Sequence, residues 1–127
     1  MTWKERRKAM DEVLKSKVVP ELRKMGFKGS LPHFKRTQNG LIQILGFQFS
    51  QWGPQFYICI AAAPAEGVTM LNGKHYPGDK IKYYQCNAQS RIGQNPFDFE
   101  KNDPGLVAEK VLASLPEGEL WWRSAKV

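Results

Sequence analysis

Asn39-Gly40, set between a short run over residues 31–37 and the apolar run from Leu41 to Ser50, commits the middle of this chain to a β-hairpin. Asn-Gly readily takes the positive φ angles of the tight turn whose twist matches two flanking strands. Leu41 to Ser50 is apolar at positions of both parities, as in a central strand covered on both sides, or on one side plus a rim. Ser50-Gln51-Trp52-Gly53-Pro54 turns the chain. Gln55 to Ala62 then returns, with Phe56, Ile58, Ile60 and Ala62 alternating onto one face. Gly46, inside the first of these strands, marks a bulge or the close approach of another element.

Helices flank this sheet. Residues 2–25 form an amphipathic helix, with Thr2 as cap and Glu5 as its capping-box partner. Trp3, Met10, Leu14, Val18, Leu22 and Met25 make one apolar stripe. Pro20 removes a backbone donor and predicts a kink or break near Val18–Val19. Gly26 ends the helix in the left-handed conformation and turns Phe27 back onto Leu22. Asp103-Pro104 starts a second helix, with Asp as N-cap and Pro at the first helical position. Val107, Val111 and Leu115, with Ala108 and Leu112, give its buried stripe, and Pro116 is expected to stop it. Leu120-Trp121-Trp122 is too apolar to stay in water and should dock on the body.

Other segments are less regular. Pro32 places the run over 31–37 at a sheet edge. Asn72-Gly73 can join two short arms, Val68–Leu71 and Lys74–Tyr76. Lys80 to Gln85 and Ala88 to Ile92 are predicted as strands, and Asn95 to Asn102 as a loop. The expected architecture is one α+β domain over 1–127. Its antiparallel sheet has about four to six strands, with the N-terminal and C-terminal helices packed on one face.

With 127 residues the chain can bury a core without staples. Residues 2–12 are strongly charged and no apolar run follows them, so no signal peptide is expected. The apolar stretch from Phe56 to Pro64 is far shorter than the roughly 20 residues that span a bilayer. The expectation is a cytoplasmic protein without membrane contact, a monomer or a homodimer, with Cys59 and Cys86 as buried free thiols. Net charge is +7, and it is uneven: residues 1–28 hold nine Lys/Arg against four Asp/Glu. Electrostatic steering of a partner therefore centres on the N-terminal helix.

Catalytic and cofactor motifs are sparse. His33, His75, Cys59, Cys86 and Asp79 show no short ligand spacing, so no metal site is expected. No phosphate loop, dinucleotide fingerprint or nucleophile elbow is present, so no cofactor and no catalytic residue are assigned. Both histidines read as surface or edge imidazoles. An enzyme would need Cys86 and His75 within hydrogen-bond reach.

The helix ending Leu22-Arg-Lys-Met-Gly26-Phe27-Lys28 is followed by Phe34 and Arg36 before a hairpin. Gly46-Phe47-Gln48-Phe49-Ser50, Phe56 to Ile60, Arg91-Ile92-Gly93 and Trp121-Trp122 come next. In order and spacing, from about residue 8 to 123, this set resembles the bacterial domain-of-unknown-function family 4304. The resemblance implies a compact α+β domain, found mostly in bacteria, and no reaction, cofactor or functional residue.

Function is therefore expected in binding. The first expectation is a non-enzymatic domain that contacts a protein partner, in one form a toxin-neutralising immunity-type protein, by analogy of size and family context. Trp52, His75, Tyr76, Tyr84 and Arg91 are the candidate contact residues, on a surface combining the Trp52 turn with the 63–79 loop. The alternative is a nucleic-acid-binding module that uses the basic helix and the strand aromatics Tyr83 and Tyr84, with Lys80, Lys82 and Arg91 on the same sheet and Lys35 and Arg36 on the neighbouring hairpin.

Overall fold

In the computed structural model, which describes residues 2–127, the chain begins with a long helical stretch. Helix α1 (Trp3–Val13) passes through a π-helical turn (Leu14–Val18) into α2 (Val19–Lys24). Thr2 Oγ1 accepts the Glu5 backbone N–H at 3.1 Å, the expected cap. The π turn lies just ahead of Pro20, where the ladder loses a donor, so the irregularity falls where the proline predicts it. At the far end Phe27 N–H donates to Leu22 O and Gly26 N–H to Arg23 O, with Gly26 at φ +96°. This is the paired bonding of a Schellman ending.

Five strands follow in a sheet of order β1-β2-β3-β4-β7, antiparallel throughout. They are β1 (Lys28–Ser30), β2 (His33–Gln38), β3 (Leu41–Phe49), β4 (Gln55–Pro64) and β7 (Ala88–Asp98). Asn39 and Gly40 both take positive φ, 57° and 74°, at the β2–β3 turn. The short β1 pairs outside His33–Lys35 of β2, so β2 forms the edge only over Arg36–Gln38, and Pro32 lies in the turn between β1 and β2. Strand β7 extends to Asp98 through the segment expected as loop. Past a register shift opposite Phe56 and Ile58, Phe97 stacks on Phe56 with ring centroids 5.2 Å apart.

Both helical segments cover one face. Met10, Leu14, Val18 and Leu22 pack with Val107, Ala108, Val111 and Leu115 over Phe34, Leu45, Phe47, Phe56, Ile58 and Ile60. Helix α3 (Pro104–Ser124) runs straight through Pro116, contrary to the expected stop. An internal proline costs about 3 kcal/mol. Trp122 offsets it: the ring is buried and its Nε1–H donates to Ala61 O at 2.9 Å. The docking expected of the C-terminal aromatics is therefore made by the helix itself.

The second face is half covered. A small hairpin of β5 (Val68–Thr69) and β6 (His75–Tyr76) turns at Asn72-Gly73. The chain then crosses back over the sheet, burying Ile81 and Cys86 against Ile42, Ile44, Ala61 and Ala63. The strand expected over Lys80–Gln85 is instead this unpaired crossing, ending in a 3₁₀ turn (Tyr83–Gln85). No helix among the described residues is long and apolar enough to cross a membrane.

Candidate functional site

The crossing segment can lie close to the sheet because β3 has no side chain at Gly46. A Cβ there would sit 2.6 Å from Tyr83 Cδ2. Tyr83 therefore rests on bare backbone in mid-sheet and divides the uncovered face in two.

On the β4–β7 side lies a trough. Alternation along β3, β4 and β7 sends Gln48, Tyr57, Cys59, Gln89 and Arg91 to this face, opposite the helices. One hollow of about 490 Å³ is lined by Gln48, Cys59, Tyr83, Tyr84, Gln89 and Arg91. A second, of about 290 Å³, shares Gln48 and Arg91 and continues to Tyr57 and Trp52. The Arg91 guanidinium lies 4.0 Å from the Tyr57 ring centroid and donates to Gln48 Oε1 at 3.0 Å. Tyr83 and Tyr84 meet edge to face with centroids 5.2 Å apart. Tyr84 is 59% exposed, and Trp52, on the β3–β4 turn, is 92% exposed.

Three of the expected contact residues, Trp52, Tyr84 and Arg91, thus share one surface. His75 and Tyr76 do not. They belong to the β5–β6 hairpin that leaves from the Pro64 end of β4, whereas the Trp52 turn joins β3 and β4 at their Phe49–Phe56 end. A nine-residue strand places those ends roughly 25 Å apart. The sequence reading overlooked Gln48 and Tyr57. For Tyr57 the signal was parity, since it falls between Phe56 and Ile58 on the strand whose core face was assigned, whereas the run around Gln48 is apolar at both parities and gave none. Of the aromatic and basic group placed on one sheet, only Arg91 is in a strand. Lys80, Lys82, Tyr83 and Tyr84 ride on the crossing.

Nucleophile chemistry has little footing in the geometry. Burial pushes the Cys59 thiol up, with Arg91 pulling the other way, and burial pushes Cys86 up to about 11 against the opposing charge of Lys35. Both are neutral thiols at pH 7. Cys86 Sγ donates to Lys82 O at 3.5 Å, while His75 Nδ1 bonds Thr69 Oγ1 at 2.9 Å. Neither bond links the cysteine to the histidine. Among the described residues no group of three or more His, Cys, Asp or Glu could hold a metal ion.

On the β1–β2 side of Tyr83 is a pocket of about 710 Å³ lined by His33, Lys28, Lys35 and Lys82. His33, read from the sequence as a surface or edge imidazole, is half-buried at the start of β2, its Nδ1 without a hydrogen-bond partner. Across the molecule, a groove of about 1070 Å³ runs between the two helical segments over Arg36. Arg36 is hydrogen-bonded there to Gln43 and Met25 O and charge-paired with Glu119, so this groove's most buried charge is already paired.

Comparison with curated proteins and with solved structures gives no match. The sequence model of DUF4304, a domain of unknown function, matches residues 18–125. With nearly its whole length matched, the chain belongs to the DUF4304 family.

Proposed function

We propose that the chain is a non-enzymatic binding domain that holds a protein partner on the trough side of its sheet, with Trp52 as the anchor. The observation that carries this reading is the exposure of Trp52 at the tip of a tight hairpin, continuous with Tyr57, Tyr84 and Arg91. A Trp side chain of roughly 200 Å² left in water forgoes about 5 kcal/mol of apolar transfer. Trp, Tyr and Arg are also the residue types that dominate protein–protein hot spots. The guanidinium and the +7 net charge favour a partner surface rich in carboxylates. In its concrete form this is an immunity-type protein of a bacterial cytoplasm that covers the working surface of a toxin, by analogy of size and family context.

The test compares wild-type protein with Trp52→Ala and Arg91→Ala as bait in lysate of the native host, with and without nuclease and at low and high salt. A protein captured by wild type, retained after nuclease and high salt, and lost with either variant supports the reading. Capture that is equal for all three baits overturns it.

Exposed Tyr84 beside Arg91 favours a second reading, a stacking platform for single-stranded nucleic acid. A signal that disappears with nuclease and falls steeply with salt moves the assignment there.

A further inference from the structure

The basic pocket on the other side of Tyr83 has a different chemistry. Lys28 and Lys35 are direct cross-strand partners on β1 and β2, so their side chains leave the same face side by side. His33 lies two residues from Lys35 on that face, and Lys82 reaches it from the crossing segment. Like charges directly opposite each other destabilise a sheet. Among the described residues, no ion pair within 4.0 Å involves Lys28, Lys35 or Lys82, although the Asp79 charge acts on Lys35 from the pocket wall. Asp79 lines the pocket, but Lys35 Nζ donates to its backbone carbonyl at 2.8 Å.

We propose that this pocket, bounded by β1, β2 and residues 77–82, binds a phosphate group through Lys28, Lys35, Lys82 and His33. Three ammonium groups supply point charges on flexible stems, which suit a tetrahedral oxyanion approached from several sides. A phosphate dianion offsets two of those charges, where a carboxylate offsets one. The groups also feel one another's charge, beneath a larger effect of burial. Burial holds the His33 imidazole below its ordinary value, helped by the charges of Lys82 and Lys35. Burial likewise lowers Lys35, with Lys82 adding to it and Asp79 and Cys86 opposing. A bound dianion reverses the sign of that field. The site stands apart from the trough, so its fate does not depend on Trp52.

The test titrates the full chain with inorganic phosphate, and separately with adenosine 5′-monophosphate, at constant ionic strength, following backbone amides and the imidazole protons by NMR. Saturable shifts confined to residues 28–35 and 77–83, complete below about 20 mM, are expected. The His33 pKa should rise by about one unit on saturation. Lys35→Gln and Lys82→Gln, each relieving repulsion and so leaving the fold intact, should each weaken binding about tenfold. Trp52→Ala should leave it unchanged. Equal affinity for both probes identifies the phosphate group alone as the ligand, and tighter binding of the nucleotide identifies a phosphomonoester. Binding of the nucleotide without inorganic phosphate overturns the proposal. So do shifts spread over the lysines of α1, affinity unchanged in both lysine variants, or no saturable shift with either probe.

Discussion

Arg36 Nη2 lies 2.7 Å from Glu119 Oε1, joining β2 to the last turns of α3 across the groove between the helical segments. Arg36 is 8% exposed, and its guanidinium is spent on three further tasks. Nε donates to Gln43 Oε1 at 2.6 Å, Nη1 donates to Met25 O at 2.9 Å, and the plane lies over Phe27 and Trp122 at 4.5 and 5.1 Å. The contact with Glu119 is a charge pair off the hydrogen-bond axis. One arginine therefore ties the end of α2, two strands and the helix beyond Pro116 together.

Glu119→Ala should leave a buried guanidinium without its counter-charge. Removing one partner of a fully buried pair costs about 3–5 kcal/mol, and an exposed pair is worth about 0–1. Glu119 is partly open to solvent, so a loss of about 2 kcal/mol is expected from urea unfolding. An Arg36→Met, Glu119→Met double variant should recover part of it, and a double variant as unstable as the sum of the single changes would show that the two groups do not act together.

Gly46→Ala should unseat Tyr83. The added Cβ meets the ring at 2.6 and 2.9 Å, and the crossing segment has to lift. Overpacking of this kind costs about 1–3 kcal/mol. Tyr83→Ala in the same chain removes the clash, so the double variant should lose less stability than additivity gives. Denaturant unfolding of the four chains measures it.

Trp52→Ala should leave stability within about 0.5 kcal/mol of wild type, because an exposed turn residue contributes little to the fold. Affinity for the captured partner should fall by about 30-fold or more, the cost of a hot-spot residue. A melting temperature lowered by ten degrees would instead mean that the ring packs on the body.

Asp98 gives the fold an acid-sensitive point. Burial pushes its carboxyl up, but the backbone N–H groups of Lys101 and Glu100, the Gln55 side chain and the Lys101 charge together hold it below its ordinary 3.8. Asp98 Oδ1 accepts from Glu100 N at 2.8 Å and from Lys101 N at 3.1 Å, shaping the turn ahead of α3. A carboxylate depressed in the folded state stabilises above its unfolded pKa, and that stability is lost as pH falls through the folded value. Asp98→Ala should cost about 1 kcal/mol at pH 7. The gap to wild type should close as pH drops below 3.8, read from unfolding curves across pH 2–7. A gap constant over that range would mean the carboxylate charge is not what holds the turn.

The sequence by itself determined the local pieces. The Thr2 and Asp103 caps, the Gly26 ending, the turns at Asn39-Gly40 and Asn72-Gly73 and the stripe through Met10, Leu14, Val18 and Leu22 each depend on residues a few positions apart. Backbone sterics and nearest-neighbour hydrogen bonds decide them. Pro116 and the segment over residues 80–85 followed tertiary packing instead. Burial of Trp122 carried the helix through its proline, and the empty place at Gly46 drew Tyr83 and its neighbours out of any ladder. The same rule governs the candidate surfaces. Strand alternation carries Tyr57 off the core face, but strand pairing and register decided that Gln48 leaves it too and that both meet Arg91 and Trp52. Register likewise set Lys28 against Lys35, and strand length kept His75 and Tyr76 away from the Trp52 turn. A function built from side chains on three strands, a turn and a crossing loop is a long-range property, fixed by which strands pair and in what register.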